Sequence, residues 1–194
     1  MNHPTSRPTR TDLLAAEGRQ VPDVIAPGLA VLFCGINPGL WSAAVGHHFA
    51  HPSNRFWKVL HGAGFTDRLL APAGERELLA RGAGITNLVE RATRTANDLG
   101  TDELRHGARV LEDKVAAYRP RFVAVVGVQA YRMAFRRPRA GVGPQPEALG
   151  PSRLWVLPNP SGAQAHYQQA DLVQAFAELR RAAQSRSRYP GSGS

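Results

Sequence analysis

The stretch Leu29-Ala30-Val31-Leu32-Phe33-Cys34-Gly35-Ile36-Asn37-Pro38-Gly39-Leu40 decides how the chain is read. Its first six residues are apolar without alternation, the pattern of a strand covered on both faces. The run ends at Gly35 and the Asn37-Pro38 step, because a residue preceding proline is pushed out of the helical region. A buried strand that runs into a polar turn suits an open parallel sheet, in which ligands sit in loops beyond the carboxyl ends of the strands.

Working outward, Phe122–Val126 and Leu154–Leu157 repeat the buried pattern, and Ile85–Val89 is a weaker fourth strand. Between them lie helical patterns. Leu104, Ala108, Leu111, Val115 and Tyr118 form one apolar stripe that stops before Pro120, and Leu172, Val173, Phe176 and Leu179 form another. Shorter helices are expected over 54–62, 74–80 and 129–135. The Gly- and Pro-rich segment 141–151 reads as a surface loop. The expected fold is a single three-layer α/β/α domain around a central, mostly parallel sheet of four to five strands. Its bounds are 21–184, between a disordered N-terminal arm, 1–20, and a disordered tail, 185–194.

The 194 residues carry 24 Lys and Arg against 15 Asp and Glu, a net charge of +9. Such a balance favours a polyanionic partner, although basicity alone does not separate a repair enzyme from a ribosomal or chromatin protein. Arg105–Arg139 holds nine basic residues and only two acidic ones, Glu112 and Asp113, which suggests a positive face. No apolar run approaches the roughly 18 residues of a membrane span. A start without the apolar core of a secretory signal and a lone Cys34 inside an apolar run suit a reducing cytoplasm, and a monomer is expected.

The loops after the three clearest strands read Gly35-Ile36-Asn37-Pro38-Gly39-Leu40, Gly127-Val128-Gln129 and Pro158-Asn159-Pro160-Ser161-Gly162, and they should face one another across a cleft. With Phe49-Ala50-His51-Pro52-Ser53-Asn54-Arg55-Phe56-Trp57-Lys58 and Thr86-Asn87-Leu88-Val89-Glu90-Arg91, in this order and spacing, they resemble the mismatch-specific uracil-DNA and thymine-DNA glycosylases over roughly residues 28–180. The resemblance implies hydrolysis of a base–sugar bond in double-stranded DNA holding uracil or another mismatched or damaged pyrimidine. It implies no cofactor, no metal and no membrane. Such an enzyme extrudes a nucleotide and needs a positive groove, a stacking platform and polar groups that read the base.

The resemblance gives Asn37 the role of positioning water at the sugar C1′, with backbone N–H groups near Ile36 facing the departing base. An amide orients water but hardly deprotonates it, so turnover should be slow. As a plain loop residue, Asn37 would only favour the turn before Pro38. Other branches of the wider superfamily carry an acidic residue at the place of Asn37 and a tyrosine at that of Gly39; Gly39 therefore leaves room for larger bases. Phe49 matches the aromatic that stacks on the flipped base, the alternative being core packing, whereas Phe56 and Trp57 read as core. Ser42 matches a serine near the flipped nucleotide and its phosphate, the alternative being a helix cap. Asn159, Ser161 and Gly162 would border the base pocket and enter the minor groove. Beyond them the chain has Ala163, Gln164 and Ala165, where members carry a larger apolar wedge and an arginine facing guanine, so the wedge and the guanine preference should be weak.

Because Asn37 is a feeble activator, Asp98 is a candidate carboxylate assistant, the alternative being an exposed group pairing with Arg94. Glu90 is expected to pair with Arg91. His47, His48 and His51 cluster as a weak metal signal, without the glutamate of a zinc-protease helix. No nucleotide-phosphate loop is present, and a non-catalytic DNA-binding module on the same fold is the other alternative.

Overall fold

A computed structural model describes residues 7–162 and 167–185. In chain order the helices are α1 (Arg10–Ala15), α2 (Leu40–Val45), α3 (Phe56–Gly62), α4 (Thr101–Tyr118), α5 (Val128–Ala134) and α6 (Gln169–Gln184). The strands are β1 (Val31–Gly35), β2 (Ala83–Asn87), β3 (Phe122–Val126), β4 (Gly143–Leu149) and β5 (Ser152–Leu157). They form one sheet of order β2-β1-β3-β5-β4, parallel except for β4, which runs antiparallel to β5.

The register explains why the strands lack alternation. Ile85, Phe33, Ala124 and Trp155 lie side by side and belong to one core, whereas Cys34, Val125 and Val156, one position on, belong to the other. Both faces are dry, so both sets of side chains must be apolar. The first core takes in Phe56, Val59 and Leu60 of α3 and Leu172, Phe176 and Leu179 of α6; the second takes in Leu104, Leu111 and Val115 of α4 and Ala130 and Tyr131 of α5. Leu172, Phe176 and Leu179 are fully buried, each contributing roughly 1.5–3 kcal/mol of transfer free energy. The expected stripes are therefore the buried ones, except that Tyr118 and Val173 are half-buried. α4 ends at Tyr118 with Arg119 left-handed at φ 51°, directly before Pro120.

Three expectations differ from the structure. The surface loop expected over 141–151 contains strand β4. Its prolines conceal it, since Pro144 and Pro146 cannot donate to a ladder, yet an edge strand tolerates them. The segment expected as a short helix over 74–80 is a longer 3-10 helix, Pro72–Arg81. The expected disordered arm, 1–20, is ordered over residues 7–20. There Thr9 opens α1 with a reciprocal cap, its backbone N–H donating to Asp12 Oδ2 at 2.8 Å and its Oγ1 accepting from Asp12 N–H at 3.2 Å. Ala16 is buried beside Ala43 and Ala92, and Gly18 N–H donates to Ala92 O at 2.9 Å. A segment that inserts only Ala16 and Val21 into the interior leaves little hydrophobic pattern to read. Among the described residues no helix is long and apolar enough to cross a membrane.

β1 and β3 are central neighbours, and the chain leaves β1 towards β2 on one side before returning to β3 on the other. That reversal opens a crevice at the carboxyl ends of the strands.

Candidate active site

A cleft of about 590 Å³ occupies this crevice. Ile36, Asn37 and Gly39 line it after β1, Asn87 at the end of β2, Val126 at the end of β3, and Asn159 and Ser161 after β5; Ser42 and Phe49 complete this part of the wall. The structure thus brings together all but four of the residues singled out from the sequence. Gly162 and Asp98 are not part of its lining, and Ala163 and Gln164 fall outside the described residues.

Asn37 is held by its amide nitrogen. Nδ2 donates to Arg91 O at 3.1 Å and to Thr93 Oγ1 at 2.7 Å, while the Thr93 hydroxyl donates onward to Thr95 O at 2.7 Å. With both amide hydrogens engaged, Oδ1 is left as the acceptor Asn37 can offer to a water. The backbone fixes the loop as well: Leu88 N–H donates to Gly35 O and Val89 N–H to Ile36 O, both at 2.9 Å, and Thr93 N–H to Pro38 O at 3.2 Å. Arg91, whose carbonyl anchors Asn37, is paired with Glu103 of α4 at 2.5 and 2.9 Å rather than with Glu90, which pairs with Lys114. The Arg91 guanidinium holds the Glu103 carboxyl below the usual carboxylate range.

Phe49, the aromatic expected from the sequence to stack on a flipped base, has a strained backbone with φ 51°. One face of its ring stacks on buried Phe56 at 3.9 Å and 18°, so the rest of the ring borders the cleft. It has both proposed characters, core packing on one side and a cleft surface on the other. Ser42 is not a helix cap. It lies inside α2, and its Oγ accepts from Ala50 N–H at 3.1 Å, pinning the residue after Phe49.

Asn87 was missed as a site residue, although a polar side chain ending a buried strand is itself a signal. It is 7% exposed and lines the cleft beside His48. Pro22 O can only accept, so His48 Nε2 carries the hydrogen of their 3.0 Å bond and Nδ1 is free to accept from Asn87 Nδ2 at 3.4 Å. Burial pushes the His48 pKa down, against the opposing pull of Glu75, which favours this neutral ring. Asn87 approaches Gly35 so closely that a Cβ there would lie 2.5 Å from Asn87 Oδ1. A Cβ at Gly39, by contrast, would meet nothing within 4 Å.

The loop after β5 is tied to the segment that follows Phe49. Asn159 Oδ1 accepts from Ser161 N–H at 3.0 Å, Arg55 N–H donates to Pro160 O at 3.1 Å, and the Arg55 guanidinium reaches Tyr167 O at 2.7 Å. Gly162 packs on Ser53, where a Cβ would lie 2.7 Å from Ser53 Oγ.

Asp98 does not reach the cleft. Its Oδ2 accepts from Thr95 N–H at 2.9 Å in a local cap, which directs the carboxylate into its own turn and not towards Arg94. Among the described residues, no Asp or Glu lines the cleft at all. The histidines do not converge either: His47 bonds Glu75 at 2.9 Å, His48 bonds Pro22 O and His51 bonds Ser53 Oγ at 2.8 Å. No cluster of metal-ligating side chains is present among the described residues. A carboxylate-free cleft at the strand ends, with a fixed amide, an aromatic platform and a buried second amide, is suited to holding a planar polar ring and a water.

Over residues 22–181 the chain matches the family model described as the uracil DNA glycosylase superfamily. Among solved structures it is similar to the solution NMR structure titled "putative Uracil DNA glycosylase" from Methanosarcina acetivorans, with 19% identity and a TM-score of 0.57 over 84% of this chain and 98% of that one. At that identity the likeness establishes the fold, which agrees with the sheet described above. The family match spans well over half of the sequence and contains every cleft loop, so the chain belongs to the uracil DNA glycosylase superfamily.

Proposed function

We propose that the protein is a monofunctional, mismatch-specific DNA glycosylase that releases uracil, and other mismatched or damaged pyrimidines, from double-stranded DNA. The observation that carries this reading is the fixed Asn37 amide in a cleft without carboxylates. The extruded base stacks on Phe49. Asn87 presents a primary amide, one donor and one acceptor, to the uracil N3–H and O4 edge. The C1′–N1 bond breaks with its electron pair leaving on uracil, whose developing charge is met by backbone amides near Ile36. Water held by Asn37 Oδ1 bonds to C1′ and releases its proton to solvent. Without a carboxylate to take that proton early, bond breaking runs ahead of water attack and turnover is slow.

Open space beside Gly39 supports a broad choice of bases. The small residues Ala163 and Ala165, flanking Gln164, support weak discrimination for guanine opposite the lesion. A single-turnover panel in EDTA tests the reading, with uracil, thymine or ethenocytosine opposite guanine, and uracil opposite adenine or in single strands. Release of several bases, with Asn37→Ala roughly 100-fold slower and Asp98→Ala near wild type, is the expected result. Activity confined to uracil would remove the broad-pocket reading, and a strict G·U preference would remove the weak wedge. Binding to uracil-containing duplex without alkali-labile sites would replace the enzyme by a binding module.

A further inference from the structure

The segment that precedes the family match reaches the cleft. Residues 7–21 lie outside the matched range, 22–181, yet Leu13 of α1 lines the cleft together with Leu40 and Trp41 of α2. The contact is built, not incidental: α1 is closed by its reciprocal Thr9–Asp12 cap, Ala16 is fully buried against α2, and Gly18 and Arg19 exchange backbone bonds with Ala92, next to the Thr93 that orients Asn37. At its start, Arg7 stands over the Trp41 ring, 5.5 Å from guanidinium carbon to ring centroid. Trp41 in turn meets the His51 ring edge-on at 5.4 Å. Trp41 and His51 both line the cleft, so Arg7 caps an aromatic wall at its mouth. Arg7 is exposed and makes no ion pair among the described residues, leaving its fork of donors for an anion.

We propose that Arg7–Ala16 is part of the DNA-binding surface: Leu13 forms one wall of the cleft, and Arg7, steadied on Trp41, binds a backbone phosphate of the strand seated there. This rests on the glycosylase reading for the identity of the ligand. The segment acts on binding, since neither Arg7 nor Leu13 takes part in the hydrogen bonds of the Asn37–Thr93–Thr95 chain that orients the water.

The test measures binding of a fluorescent uracil-containing duplex over a range of salt, alongside single-turnover rates at saturating enzyme. Arg7→Ala is expected to lower the salt slope by about 0.9 and to weaken binding roughly eightfold at 0.1 M salt, the effect of one lost phosphate contact. Its saturating rate should stay within about twofold of wild type, a split that loss of folding would not produce. Arg180→Ala serves as the charge-matched control. Arg180 lines a separate pocket with Val31 and Ala83, which begin β1 and β2 at the opposite end of the sheet. An Arg7→Ala slope equal to that of wild type, or an Arg180→Ala variant equally weakened, overturns the proposal. A wild-type protein that binds but releases no base overturns the glycosylase reading instead, while the binding comparison still decides the phosphate contact.

Discussion

Thr93→Val tests the water-positioning chain most directly. The substitution keeps the shape of a side chain that is 2% exposed and deletes only the hydroxyl that accepts from Asn37 Nδ2 and donates to Thr95 O. At that burial the hydroxyl has little contact with solvent, although Thr93 borders the cleft. Two neutral hydrogen bonds are lost, each with a net value of about 0.5–1.5 kcal/mol, so the protein should lose roughly 2 kcal/mol of stability. The effect on rate is separate: Asn37 keeps its bond to Arg91 O, but its carbonyl is no longer locked towards the cleft. If the freed amide costs about 1.4–2 kcal/mol of orientation, the single-turnover rate on a G·U duplex falls roughly 10- to 30-fold. Duplex affinity should stay within about twofold, because Thr93 meets the water-orienting group and not the phosphates. Thr93→Ser restores the hydroxyl and should recover most of the rate. A folded Thr93→Val enzyme with the wild-type saturating rate, or a serine variant as slow as the valine one, would refute the reasoning.

Three further outcomes are expected. Gly35→Ala places a methyl 2.5 Å from Asn87 Oδ1 and 3.2 Å from Phe49 Cζ, so base release should fall by at least about tenfold while urea unfolding shows the domain still cooperative. Gly162→Ala drives a Cβ to within 3.0 Å of Ser53 Oγ, Cβ and O; since two of these belong to backbone or Cβ, the loop must shift, and duplex binding should weaken while binding of free uracil, followed by titration, is unchanged. The third outcome concerns pH. Burial holds the His48 pKa below 6.5, with Glu75, Asp23 and His47 as its titratable neighbours, so the unfolded chain takes up the proton first. Stability contributed by neutral His48 is therefore full above about 6.5 and declines as pH falls below it. Urea midpoints between pH 8 and 5 should drop on the acid side, and a His48→Gln variant with an equal drop would remove His48 as the cause.

Much of this was legible in the sequence because it depends on local pattern. Unbroken apolar runs marked β1, β3 and β5, stripes at three- and four-residue spacing marked α4 and α6, and Asn-Pro steps after two strands marked where the chain turns at the cleft. β4 was not legible, since its stability comes from pairing with β5 and not from its own prolines. Nor was α1, which buries no residue of its own and is held by Ala16, the residue after it, inserted against residues distant in sequence.

The sequence by itself determined the fold class, the loops that form the cleft and the amide at position 37, each written in the order of side chains along one strand and its following turn. Only the tertiary structure decided what those groups can do. It directed Asp98 into its own cap, set Asn87 against His48, bound the Asn37 amide to Arg91 and Thr93, and brought Leu13 into the cleft wall. The physical reason is that a hydrogen bond is fixed by distance and direction between atoms, and residues 54 and 56 positions apart in the chain meet at bonding distance only once the sheet has formed.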